Sequence, residues 1–141
     1  MFNEFVGPNQ FQWTDAQLEH ANRLLNRLPA AYRRSIKGEG ERDAILRPTI
    51  ETMNEVDPTE AICSEDILPE VLRRFEIIHQ TDFGGTLLQL VLEDIAGNFT
   101  DTEESRAQLR MLMDEEQRLI REGVIGSDFT VVVARHKNGR P

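Results

Sequence analysis

Apolar positions recur at two spacings along the chain, and the spacing separates strands from helices. Phe2 to Val6 is a short run of β-formers stopped by Gly7-Pro8, which predicts a buried strand ending in a turn. Thr14 and Gln17 form a capping box, and Leu18, Ala21, Leu24, Leu25 and Leu28 then repeat at helical spacing until Pro29. From Ala30 to Pro48 glycine and alternating charge interrupt any period, and Ile50, Met53 and Val56 predict a short helix before Asp57-Pro58. Residues 30–56 therefore read as a mobile insertion or lid. Ser64 is the expected N-cap of the next helix, with Glu65 and Asp66 at its positive end, Pro69 in its first turn and Ile67, Leu68, Val71 and Leu72 on its buried face. Phe75 to Asp82 is the second expected strand, leading through Phe83-Gly84-Gly85 into an apolar helix over Thr86 to Ala96. Thr100 with Glu103 is expected to cap a long helix carrying Leu109, Leu112, Met113, Leu119 and Ile120 and ending at Gly123. Phe129 to Ala134 is the last strand, followed by a polar tail.

Strands alternate with helices, and no internal repeat interrupts the order, so the class is α/β. Three strands are few for a sheet covered on both faces. A chain of 141 residues suits one domain. With 25 acidic against 16 basic residues the formal charge is −9, which repels nucleic acid and anionic lipid and makes neither an expected partner. Basic residues concentrate between positions 23 and 47, where Arg23, Arg27, Arg33, Arg34, Lys37, Arg42 and Arg47 face three acids. That cluster would guide an anionic substrate beneath a lid or form an ordinary solvated surface. Cys63 is the single cysteine, which excludes an intrachain disulfide and a cysteine-rich zinc site. The first residues show neither a basic leader nor a signal-length apolar stretch, and no run reaches membrane-spanning length, so the expected compartment is the cytoplasm.

Three blocks carry a likeness to a known family. They are Asn3-Glu4-Phe5-Val6-Gly7-Pro8-Asn9-Gln10-Phe11-Gln12-Trp13-Thr14, then Asp57-Pro58-Thr59-Glu60-Ala61-Ile62-Cys63-Ser64 with its helix. The third is Asp82-Phe83-Gly84-Gly85-Thr86-Leu87-Leu88 running to Ile95-Ala96-Gly97-Asn98-Phe99. In order and content they resemble the C-terminal portion of bacterial class I S-adenosylmethionine-dependent methyltransferases. The resemblance implies a doubly wound, Rossmann-like seven-stranded sheet whose last strand runs antiparallel between the fifth and sixth. Phe2 to Val6 would be the fifth strand, Phe75 to Asp82 the sixth and Phe129 to Ala134 the seventh, making the chain a single partial domain with strands one to four missing. The family binds S-adenosylmethionine through a glycine-rich turn after strand one and an acidic residue after strand two. Neither is in this chain, so it is expected to bind no cofactor alone. Gly38-Glu39-Gly40 follows no strand and lacks a third glycine.

Ligands of open α/β sheets lie beyond the carboxyl ends of strands, which makes Gly7, Pro8, Asn9, Gln12 and Trp13 the candidate substrate-binding residues. The plainer reading has Phe11 and Trp13 stapling the helix start and Asn9 and Gln12 capping turns. Glu4 on its strand is either a general base or an edge-facing carboxylate. His20, His79 and His136 share no metal-ligand spacing and read as surface residues. Asp82-Phe83-Gly84 matches a kinase tripeptide without the rest of that signature. Glu103, Glu104, Asp114, Glu115 and Glu116 read as a solvated helix face, with Asp114 and Arg118 spaced to pair.

Three functional readings follow: the acceptor-side half of a methyltransferase, a non-catalytic module, and a self-contained small α/β fold. The module would dimerise or recruit a completing chain through the Phe2 to Val6 edge.

Overall fold

The computed structural model describes residues 1–137, so the end of the expected polar tail, 138–141, lies outside them. In chain order the elements are β1 (Phe2–Phe5), α1 (Asp15–Arg27), α2 (Ile50–Val56), α3 (Ile67–Arg74), β2 (Phe75–Gly84), α4 (Leu87–Leu92), α5 (Glu103–Arg121) and β3 (Phe129–His136). Short 3-10 turns sit at Asn9–Phe11, Ala30–Tyr32, Ser64–Asp66 and Ala96–Asn98. The fold is mixed α/β. The described chain divides into two compact units, one from Met1–Trp13, Arg47–Gly84 and the residues from Ser127 onward, the other from Thr14–Leu46 and Gly85–Gly126.

The first unit holds a three-stranded sheet in the order β1-β3-β2, with β3 antiparallel to both neighbours. Phe2 pairs with Val132 and Phe5 with Phe129, and β2 runs from Phe75 opposite His136 to Gly84 opposite Phe129. Register shifts between Ile77 and His79 and between Asp82 and Gly84 interrupt the second ladder. Alternation sends Thr130 and Val132, both fully buried, to one face and half-buried Phe129, Val131 and Val133 to the other. The expected burial of the first strand does not hold: Asn3 and Glu4 are exposed, because β1 is paired on one side only among the described residues. The Val6 N–H bonds the Asp128 carbonyl at 2.7 Å. By the alternation of antiparallel pairing, Phe2 and Glu4 then turn their backbone groups to β3, and Asn3 and Phe5 turn theirs to the open edge.

Helix α3 begins at Ile67 rather than at Ser64, and Pro69 falls in its first turn. The Ser64 hydroxyl does not cap it; it donates instead to the Gly7 carbonyl at 2.8 Å. Leu72, expected on the buried face, is exposed. In α2, Thr49 is the N-cap and Met53 is buried, whereas Ile50 and Val56 are exposed.

In the second unit α4 packs against both α1 and α5. Helix α1 has the expected capping box, with the Thr14 hydroxyl accepting from the Gln17 N–H and the Gln17 side chain returning to the Thr14 N–H at 2.7 Å. Its buried stripe is Gln17, Ala21, Leu24 and Leu25. Two helices differ from expectation. The apolar helix ends at Leu92 instead of Ala96, since Asp94 takes a left-handed backbone conformation, φ 59°. Its carboxylate accepts the Ser35 hydroxyl and the backbone N–H groups of Ile36 and Lys37, which together hold it below the usual carboxylate range. Helix α5 is capped by Thr102, which accepts from the Ser105 N–H, in place of Thr100.

Glu116 corrects the solvated reading of the α5 acids. It is 1 % exposed, and its two oxygens accept the N–H groups of Gly85 at 3.0 Å and Leu88 at 2.9 Å. A carboxylate from α5 thus satisfies the free donors at the start of α4. Arg118 pairs with Glu115 and Glu122 rather than with Asp114.

Residues 30–46 are anchored within this second unit. Asn22 brackets Ile45, donating to its carbonyl and accepting its N–H. Arg42 donates to the carbonyls of Val91 and Glu93, and Asn98 to those of Tyr32 and Arg34. Several arginines of the basic cluster are also paired, Arg23 with Glu19 and Arg33 with Glu41.

Candidate functional site

The first unit contains a cavity of about 330 Å³ beside the carboxyl end of β1. Its walls are Glu4 and Phe5 of β1, Phe11 of the following 3-10 turn, the loop 59–64, and Ile67 at the start of α3. The position follows from local chemistry. β1 ends at Phe5 and the chain turns at Gly7, where a Cβ would lie 2.7 Å from both the Phe5 ring and the Asp128 carboxyl carbon, so any side chain here must displace one of them. Pro8 then begins the 3-10 turn Asn9–Phe11, in which Gln10 and Phe11 are left-handed with φ of 48° and 55°.

The opposite wall carries the same strain. Ala61 is left-handed at φ 52°, and its carbonyl accepts the Gln10 N–H at 2.7 Å. A non-glycine residue in this region costs roughly 1–2 kcal/mol, so two consecutive ones, with a third hydrogen-bonded to the first of them, mark a place where the surrounding structure dictates backbone shape. At the loop's start the Asp57 carboxylate accepts the hydroxyl and N–H of Thr59 at 2.8 and 2.9 Å, which draws its carboxyl below the ordinary range.

Aromatic rings run from the sheet into the cavity wall. Phe129 meets Phe5 edge-on at 5.4 Å, Phe5 meets Phe11 edge-on at 5.1 Å, and Phe11 stacks on Trp13 at 5.2 Å with 15° between planes. Glu4 and Glu60, both exposed, are the charged residues at the cavity's border. Cys63 places an exposed thiol there as well.

The five residues singled out from the sequence stand behind this cavity rather than on its surface. Gly7 forms the turn. Pro8 sets the start of the 3-10 turn. The Asn9 carboxamide oxygen accepts the Glu65 N–H at 3.1 Å and so caps the turn Ser64–Asp66. The Gln12 amide donates to the carbonyls of Gln10 and Pro48, and the Arg47 guanidinium holds the Trp13 carbonyl at 2.7 Å. Trp13 is buried, and its indole N–H has no hydrogen-bond partner among the described residues. The wall residues Phe5, Phe11, Ile62 and Ile67 were not among the sequence candidates. Their nearest signal was their place in the residue blocks Asn3 to Thr14 and Asp57 to Ser64 with its helix.

Elsewhere Asp82, of the kinase-like tripeptide, accepts the Thr130 hydroxyl at 2.6 Å and the Gln80 amide at 2.9 Å. His79 and His136 are exposed, and His20 is half-buried. Among the described residues no group of three or more His, Cys, Asp or Glu side chains is arranged to hold a metal ion, and no helix is long and apolar enough to cross a membrane. Comparison of the chain with protein-family models, curated proteins and solved structures returned no match.

Proposed function

We propose that the chain is the acceptor-side half of a class I S-adenosylmethionine-dependent methyltransferase, with the cavity beside β1 receiving the acceptor. The observation that carries this reading is the sheet order. A third strand lying antiparallel between the first two is the arrangement that the residue blocks imply for strands five, seven and six of such an enzyme. Two further features support it. The cavity sits at the carboxyl end of β1, where open α/β sheets bind ligands. The edge of β1 that is unpaired among the described residues, with the outward backbone groups of Asn3 and Phe5, is where a fourth strand would add.

In this reading S-adenosylmethionine is held by polypeptide outside these 141 residues, in the same chain or another, since the glycine-rich turn and acidic residue of the donor site are not among them. The role of the residues present is to shape the acceptor pocket, exclude water from it and orient its occupant for displacement at the donor methyl. The test is to co-express the chain with a polypeptide carrying a class I donor half and to titrate S-adenosylmethionine by calorimetry. Binding by the pair and none by the chain alone is expected. Micromolar binding by the chain alone, or failure of the two to associate, overturns the proposal.

The same open edge favours a second reading, a non-catalytic module that recruits an extended segment of a partner by strand addition. The two readings part on whether the completed assembly binds the donor.

A further inference from the structure

We infer that the open edge of β1 takes up an extended segment of a partner polypeptide bearing an arginine or lysine opposite Glu4. The inference rests on the strand-addition reading above and adds the chemistry of the added strand. Position comes first. Among the described residues β1 is paired on one side only, and on that side Glu4 lies opposite Thr130. Directly opposed residues of neighbouring strands share a sheet face, with Cβ atoms about 4.5–5.5 Å apart, so the residue that an added strand sets opposite Glu4 stands beside its carboxylate. In an antiparallel addition the outward backbone groups of Asn3 and Phe5 make the hydrogen bonds. Glu4 then falls in a non-hydrogen-bonded pair, where side chains are closest.

Charge decides what stands there. Glu4 is exposed, and its carboxylate has no hydrogen-bond or ion-pair partner among the described residues. The other outer strand of the same sheet shows the complement. Glu76 of β2 lies in register opposite Arg135 of β3, whose guanidinium donates to both carboxylate oxygens at 2.8 and 3.0 Å. Glu4 has threonine where Glu76 has arginine, which leaves its charge to be met from the open side. Glu60 is a second exposed acid at the border of the cavity beside β1, and no lysine or arginine lines that cavity. A second copy of the chain fits less well. Antiparallel self-pairing through the outward groups of Asn3 and Phe5 sets Asn3 of each copy opposite Phe5 of the other and brings the two Glu4 carboxylates together.

The probes are three capped pentapeptides, Thr-Val-Arg-Val-Thr and its counterparts with glutamine or glutamate at the centre, each titrated into the full chain. With the central residue opposite Glu4, alternation sets the valines on the face of Asn3 and Phe5. NMR shifts and hydrogen exchange of the Asn3 and Phe5 amides report addition at this edge. The expected result is slower exchange at both amides and about fivefold tighter binding of the arginine peptide than of the glutamate peptide, with the glutamine peptide between them and the advantage shrinking as salt is added. Glu4→Gln should cut the advantage to about twofold or less, and Glu4→Lys should reverse it. Because the net charge of −9 attracts any cation, Glu104→Gln serves as the control: it removes one exposed acid on α5 and should leave the advantage unchanged. Equal affinities, or an arginine preference that survives Glu4→Gln, overturn the inference and leave strand addition standing. Amides untouched by every peptide overturn both. Amides already protected in the chain alone at every concentration would make a second copy the occupant and overturn the inference. None of these measurements uses S-adenosylmethionine, so donor binding by the completed pair decides the methyltransferase reading separately.

Discussion

Gly7 is the residue on which the shape of the cavity turns. A methyl group there would press on the Phe5 ring and on Asp128, and Phe5 is both the cavity wall and the link between the sheet and Phe11. Gly7→Ala is expected to lower stability by about 1–3 kcal/mol, the usual penalty for overpacking, and to shift Trp13 fluorescence through the Phe5-Phe11-Trp13 stack. A denaturant midpoint and emission maximum both equal to those of the parent would remove this role from Gly7. At this scale the sequence was only partly legible. Gly7-Pro8 announced the turn, but nothing in the letters of Ala61 announces a left-handed residue whose carbonyl meets Gln10 across 51 positions. Glu116 is hidden for a related reason. A glutamate among acids on a helix is ordinarily solvated, and its partners Gly85 and Leu88 lie 31 and 28 residues away.

At the scale of elements, local signals read well where both partners are close in sequence. The Thr14-Gln17 box is formed as expected, and the ends of α1 follow from it and from Pro29. The cap of α5 moved from Thr100 to Thr102 because two threonines compete there, and the Ser105 hydroxyl, facing Tyr32, takes the Thr100 N–H instead. Helix α3 offers a test by pH. Glu70 accepts from Arg73 at 2.6 and 2.8 Å and also pairs with Arg74, which draws its carboxyl from 4.5 to about 2. A depressed folded-state value means that the contribution of Glu70 is complete above the unfolded value of roughly 4.3 and fades as pH falls towards 2. An NMR titration should therefore find the Glu70 carboxyl midpoint near 2, returning to the ordinary range in Arg73→Ala, Arg74→Ala. A midpoint near 4 in the parent would show that these exposed pairs are transient in solution.

At the scale of the molecule, the order of strands was legible through the residue blocks, whereas the openness of β1 needed the pairing itself. An edge with backbone groups unpaired among the described residues leads us to expect self-association, tempered by the short length of β1 and the charge of Glu4. Sedimentation should show concentration-dependent dimers, and Phe5→Pro, which removes an outward N–H, should weaken them by about tenfold. A parent that stays monomeric at high concentration would count against strand addition as the way the chain is completed. The central place of β3 also has a kinetic side. β1 and β2 are not partners of each other, and the contact of Phe2 with Val132 closes a loop of about 130 residues. During synthesis both outer strands leave the ribosome long before the strand they pair with, so the sheet forms only after Phe129–His136 has emerged. Folding of this unit is thus paced by one long-range encounter, and until β3 emerges the two outer strands lack the partner that both of them pair with.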